Sequence, residues 1–421
     1  MSRTFKIRAS IVVALMALLA AGTAAVAGAH APPVRPASVS PCADRYPSAR
    51  TPGNPLLVSD PAPGDPLRDA NFFVDGPTHG AAAGEIARLL GIDTNIPTGS
   101  YLPAFPDDES WAQFHARVAR MMPSLNRGVA RKIRLLEKIA DEPEAQRISS
   151  GAEGGSPADI ADFTRKLFCH NFTADPGTVP IITTYFLHSV LGGCPTTGQI
   201  EAYMPLFEQR VNATVEWTGD RPVVYLLELD AVGSSSCMAR SGSLRAWEAA
   251  LRYEVDRFST LPHAVVYIEG GYSDANDPGY TARVLNSIDI RRIRGFFTND
   301  THENWTINEI RWGERVSKLT HGARFVINTA QNGNGPLRNP HPSTEGVDDL
   351  CNPPRRALGP RPTTTTGFPH IDAFLWTHVP GNSSGPCNGG PPSGVFWPAR
   401  AETLAARANS RLGPQFASDP Y

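Results

Sequence analysis

The rhythm of the chain from residue 179 onward limits its fold more than any other feature. Short β-branched or apolar runs occur at residues 179–185, 223–229, 264–268, 295–297, 325–329 and 373–376. Segments of helical period lie between several of them, as at 244–258 and 281–288. Buried-looking strands that alternate with helices form a parallel sheet. With the run at 72–74 added there are about seven strands, which predicts an α/β fold. The expected architecture is a distorted parallel (β/α) barrel, with a cleft or tunnel at the C-terminal strand ends, where such barrels carry their active sites. Ahead of this rhythm, apolar residues recur at helical spacing over 85–91 and 111–140 (Phe114, Val118, Met121, then Ile133, Leu136, Ile139). The polar, Gly/Ser-rich stretch 141–165 reads as a surface loop leading into another helix.

The N-terminus sets the compartment. Arg3, Lys6 and Arg8 precede an apolar run, Ile11 to Ala20, and then small residues around Ala25-Val26-Ala27. A helix of that length falls short of the roughly 30 Å of a bilayer's hydrocarbon core, so residues 1–27 read as a signal peptide. Residues 28–53, rich in Pro, Ala and Ser, read as a tail or linker, and 54–421 as one catalytic barrel. The mature protein is expected to be secreted, extracellular or cell-wall associated, with no membrane attachment after signal removal. Lys and Arg number 39 against 41 Asp and Glu, with no basic block, so no nucleic-acid partner is expected. The six cysteines suit an oxidising compartment. No Cys-x-x-Cys or His-x-x-x-His spacing occurs, so neither a metal nor another cofactor is expected. Six cysteines allow fifteen pairings, and the spacing does not choose among them.

The residues that follow each run are the ones that would face a ligand. Residues 223–229 lead into Asp230. Apolar neighbours there give partly dry surroundings, which disfavour a charged carboxylate, as a general acid near neutral pH requires. A carboxylate in this place would equally serve as a helix cap or as an arginine's ion partner. Residues 264–268 lead into Glu269, followed by Gly270-Gly271, Tyr272 and Asp274. Asn299-Asp300, Asn328-Thr329, Asp372 and Trp376 follow or accompany later runs. A cleft of Asn, Asp, Glu, Tyr and Trp suits a sugar, whose hydroxyls meet polar groups and whose ring faces meet aromatics.

These residues together resemble glycoside hydrolase family 6, the inverting cellobiohydrolases and endo-β-1,4-glucanases. The most specific part is C-terminal: Asn332-Gly333-Asn334-Gly335-Pro336, Cys351-Asn352-Pro353-Pro354, Asp372-Ala373-Phe374-Leu375-Trp376 and Cys387-Asn388-Gly389-Gly390-Pro391-Pro392. Upstream, Leu227-Glu228-Leu229-Asp230 is similar to the family's Leu-Glu-Pro-Asp, and Tyr267-Ile268-Glu269-Gly270-Gly271-Tyr272 to its Tyr-Leu-Asp-Ala-Gly-His. The resemblance implies Asp230 as proton donor and Tyr185 beside the sugar at the bond being cut, in a monomer acting on a polysaccharide. It places Asn299, Trp376, His378 and Asn382 among the substrate-binding residues. It also implies the bridges Cys194–Cys237 and Cys351–Cys387, leaving Cys42 and Cys169 to pair or stay free.

The departures bear on chemistry. Where the family has an arginine and a carboxylate that tunes the acid, this chain has Val190 and Leu191. The family's Lys-x-Pro-Gly-Glu-x-Asp reads His378-Val379-Pro380-Gly381-Asn382-Ser383-Ser384, so the base-side Asp is Ser384. Inversion needs a second carboxylate across the cleft. Glu269 is the first choice for that second catalytic role, with Asp274 and Asp300 as alternatives. The expected function is therefore a secreted β-1,4-glucan hydrolase with a rearranged base. A hydrolase of another polysaccharide, or a non-catalytic carbohydrate-binding protein on the same scaffold, stands as the alternative.

Overall fold

The computed structural model describes residues 64–92, 109–149, 155–337 and 350–413. The expected signal peptide, the segment 28–53 and Cys42 lie outside these residues. Seven parallel strands run in sequence order across one sheet: β1 (Gln146–Ser149), β2 (Ile181–Tyr185), β3 (Val223–Leu227), β4 (Ala264–Glu269), β5 (Gly295–Thr298), β6 (Arg324–Asn328) and β7 (Ile371–Leu375). The sheet curls so that its two edges meet at one parallel bridge, Glu144 to Trp376.

Both faces of the sheet are covered, which is why its strands read as continuous apolar runs rather than alternating ones. In β3 the side chains of Val223, Tyr225 and Leu227 join an outer core with the helices, among them the fully buried Trp247 and Phe258 of helix Leu244–Phe258. Val224 and Leu226 point the other way, into an inner core with Tyr267, Phe297, Val326 and Leu375. A third cluster packs helices Ala81–Leu89 and Arg127–Ala140 against Trp376 and helix Pro398–Ala406. Burying each large apolar side chain contributes roughly 1.5–3 kcal/mol.

Two expectations need correction. The run at 72–74 is not a sheet strand: Phe72 makes a single bridge to Val179. The seventh strand is β1, inside the stretch read as a loop. Ile148 is the one strongly apolar residue in Gln146–Ser149, too little for an apolar pattern, and backbone pairing with β2 forms the strand. The helical stretch 111–140 divides into Trp111–Met121 and Arg127–Ala140. Pro123 interrupts it, and Asn126 restarts it by capping the Val129 amide at 3.0 Å.

The bridges Cys194–Cys237 and Cys351–Cys387 are both formed, with Cα separations of 5.6 and 6.0 Å. The first ties the loop after β2 to the helix after β3. The second ties together two loops of the cleft wall. Cys169 is buried in helix Pro157–Ala174.

Candidate active site

All seven parallel strands end at the same rim, and the residues at and beyond those ends build the site. After β3 the backbone turns sharply, with Glu228 and Asp230 both at positive φ (49° and 62°). Non-glycine residues hold such angles only when their surroundings demand it. Here the demand comes from the Glu228 carboxylate, which is fully buried and accepts the Phe186 and Leu187 amides at 2.6 and 2.9 Å. It clamps the end of β2 to the end of β3. The turn leaves Asp230 half-buried, on the wall of a cleft of about 380 Å³.

Two hydroxyls hold the Asp230 carboxyl, and its backbone amide binds a neighbouring carboxyl. Tyr272 donates its hydroxyl to Oδ1, and Thr301 Oγ1 donates to the same oxygen at 3.0 Å. The Asp230 amide donates to Asp300 Oδ2 at 3.3 Å, which draws a second carboxyl alongside. No guanidinium pairs with Asp230 among the described residues. Asp300 is buried, and its Oδ1 has no hydrogen-bond partner. Burial, and then the charge of Asp230, push its pKa up to about 7, with the Tyr272 hydroxyl offsetting part of the rise. Two carboxyls this close do not both ionise readily, so the pair retains a proton toward neutral pH. Gly233 makes the arrangement possible, since a Cβ there would collide with the Tyr272 ring.

Glu269 sits elsewhere. It is fully buried, Oε2 accepts the Val232 and Gly233 amides at 2.7 and 2.8 Å, and Oε1 accepts the Gly271 amide. Burial, then the nearby Asp300 charge, raises its pKa well above the carboxylate range. This side chain fixes the loop that carries Asp230 and does not line the cleft. Asp274 is likewise buried, bound by His302 Nδ1 at 2.9 Å and Asn304 Nδ2 at 2.6 Å. Of the three residues considered for a second carboxylate, Asp300 alone reaches the cleft.

The residues expected to bind substrate divide similarly. Tyr185, His378 and Asn382 line the cleft. Trp376 is buried, with Nε1 donating to the Pro360 carbonyl at 3.1 Å. Asn299 is buried and bonds to the Asn304 and Asn328 carbonyls at 3.3 and 3.0 Å. Asp372 lies near the amino end of β7, gripped by Arg294 at 2.7 Å and by the Tyr267 hydroxyl at 2.6 Å. His378 meets Gln331 Nε2 at 2.7 Å. Burial, with help from Arg147 and Arg400, lowers its pKa to about 3, so its imidazole is neutral at ordinary pH. Ser384 is exposed on the wall formed by residues after β7, and its amide donates to Asn352 Oδ1 at 2.9 Å. That wall contributes Asn382, Ser383, Ser384 and Ser393 to the cleft and no carboxylate.

Cleft residues without a sequence signal include Arg147, because β1 was read as loop, Thr301, which bonds to Asp230, and Glu303, four residues beyond Asn299. Glu303 faces Arg400 at 3.6 Å, and burial raises its pKa to about 7.

A pH dependence of stability follows. Glu228, Asp300 and Glu303 have folded-state pKa values of about 7, above the ordinary 4.5, 3.8 and 4.5. Between those limits the folded chain binds protons that the unfolded chain has released. Stability therefore falls as pH rises through the window, by about 1.4 kcal/mol per pH unit for each such proton, and levels off above it. Two groups act in the opposite sense: Asp75, lowered by His170 despite its burial, only at pH below its ordinary 3.8, and His378, lowered from 6.5 to about 3, below pH 6.5, where its one proton is outweighed by the three on the carboxyls. Scanning calorimetry is expected to give a higher Tm at pH 5 than at pH 8; a flat or rising trend would contradict the assignment.

Residues 111–408 match the sequence profile of glycosyl hydrolases family 6. Endoglucanase A of Cellulomonas fimi is 29% identical over 275 residues, covering 65% of this chain and 56% of that protein. Endoglucanase 1 of Streptomyces sp. (strain KSM-9) is 29% identical over 290 residues, covering 66% of this chain and 74% of that one. The chain thus spans little more than half the length of the first of these relatives. Among solved structures, the endoglucanase Cel6 from Mycobacterium tuberculosis, in complex with methyl-cellobiosyl-4-deoxy-4-thio-β-D-cellobioside, aligns with a TM-score of 0.63 and 25% identity, over 82% of this chain and 99% of that one. Endoglucanase CEL6B from Humicola insolens shares the fold at a TM-score of 0.56 and 17% identity, over 83% of this chain and all of that one. With the family profile matched over most of its length and a seven-stranded parallel sheet like that of its structural neighbours, this chain belongs to glycosyl hydrolases family 6.

Proposed function

We propose that the chain is a secreted, monomeric glycoside hydrolase that cleaves β-1,4-glucan by a single inverting displacement, with Asp230 as general acid. Residues 1–27 direct export, 28–53 form a tail or linker, and 54–421 form the catalytic unit. One observation carries the reading: Asp230 stands half-buried on the cleft wall, bound to Tyr272 and Thr301 and paired with a proton-retaining carboxyl, Asp300. Asp230 gives its proton to the glycosidic oxygen as the bond from that oxygen to the anomeric carbon breaks. Water forms the new bond from the opposite face, and its proton leaves to solvent. Asp300, beside the acid rather than across from it, takes up the tuning role whose family position is Leu191 here.

The far side is where this chain differs. An inverting pair needs its carboxyls about 6.5–9.5 Å apart with water between. The wall carrying Asn382 and Ser384 supplies no carboxylate, so water attacks without one and turnover is slow. Proton NMR of products from soluble β-glucan tests the stereochemistry: the α-anomer is expected to appear first. A β-anomer, or no release on any glycan of a panel, would overturn the proposal. The carboxylate-free wall favours one second reading, a carbohydrate-binding protein on the same scaffold, which binds without release.

A further inference from the structure

We propose that the cleft selects a glycan carrying an anionic group, and that Arg147 is the residue that receives it. This inference rests on the glycan-hydrolase reading of the same cleft and names its substrate class. Arg147 is the second residue of β1, part-buried, and its side chain lines the cleft. Its guanidinium lies over the Tyr185 ring, 5.5 Å from the centroid. Among the described residues it has neither an ion partner nor a side-chain hydrogen bond.

Other arginines in comparable surroundings are matched. Arg294 is held by Asp372 at 2.7 Å, and Arg400 faces Glu303 at 3.6 Å while bonding to Gln331 and the Pro353 carbonyl. A guanidinium drawn partly out of water favours an anion beside it. The contact with Tyr185 holds the guanidinium in the cleft, where its N–H groups are free to meet a carboxylate or sulfate in two parallel hydrogen bonds.

The rest of the cleft accommodates such a group. The wall after β7 presents Asn382, Ser384 and the neutral imidazole of His378, none of which repels an anion. The carboxyls lie apart from it in kind: Asp300 keeps a proton toward neutral pH beside Asp230, and Glu303 faces Arg400. Arg147 lies over Tyr185 and shares the cleft lining with Asp230, so the anionic substituent would sit on a sugar close to the bond being cut. A C6 carboxylate and a C6 sulfate offer the same chemistry, and the test separates them.

The test is calorimetric titration of the full mature chain with three non-hydrolysable, sulfur-linked β-1,4 hexamers: neutral glucose, C6-carboxylate and C6-sulfate. At least one anionic hexamer is expected to bind on the order of 10-fold more tightly than the neutral one, with the advantage shrinking as salt rises and screening shortens. Arg147→Met is expected to abolish the advantage while leaving neutral-hexamer affinity within about threefold, and Arg147→Lys to keep part of it. Unchanged near-ultraviolet circular dichroism excludes a folding defect. Whichever anionic hexamer is preferred identifies the group. Equal or tighter binding of the neutral hexamer, or an anionic preference that survives Arg147→Met, would overturn the inference. Either result leaves the hydrolase reading intact where neutral β-glucan is still cleaved, because that reading depends on Asp230.

Discussion

Asp230→Asn is expected to lower glucan cleavage by about 10²–10⁴-fold, the usual worth of positioned general acid–base catalysis. The substitution removes the proton and little else. An Asn oxygen still accepts from Tyr272 and Thr301, and the backbone still donates to Asp300. The turn at positive φ suits Asn as well as Asp. Folding should therefore be unchanged, and kcat should fall together with kcat/KM while KM barely moves. That pattern marks an interaction made in the transition state. A fall in affinity without a fall in kcat would assign Asp230 to binding instead.

Ser384→Asp is expected to act in the opposite direction, raising kcat on β-glucan by about 10²-fold or more by supplying a base for the attacking water. Ser384 is exposed on the wall after β7, so a carboxylate there remains hydrated and ionised. Its backbone amide is already fixed by Asn352, in a loop closed by the Cys351–Cys387 bridge. A carboxylate so placed would be positioned without rearranging the wall. Steady-state kinetics of the two proteins at matched substrate checks this. An unchanged kcat would mean that the water is already activated by another group or that its activation does not limit the reaction.

The fold was legible where its elements bury a full apolar face. Helix Leu244–Phe258 was read to its ends, and six strands were found because both faces of the sheet are covered. β1 escaped because backbone pairing, not apolar content, forms it, and Arg147 escaped with it. The site was legible as a set of strand ends but not as a set of directions. Asn299 and Asp300 are neighbours in sequence, yet Asn299 turns inward to brace Asn304 and Asn328 while Asp300 reaches the cleft. Side-chain direction beyond a strand's last residue depends on backbone angles that only the folded loop sets. Glu269 illustrates this: it ends a strand as Asp230 follows one, yet its carboxylate turns away from the cleft to accept the Val232, Gly233 and Gly271 amides. Carboxylates at strand ends serve here as staples as often as acids, and Glu228 is the second case.

Proton donation by the residue at 230 can be isolated from every other effect by varying the leaving group. Natural glucan leaves as an alkoxide that must be protonated, whereas 2,4-dinitrophenolate leaves unaided. The wild type and the Asn variant should therefore differ by about 10²–10⁴-fold on a soluble glucan and by less than about 10-fold on 2,4-dinitrophenyl β-cellobioside. Equal losses on both substrates, or none on either, would contradict the assignment of the acid.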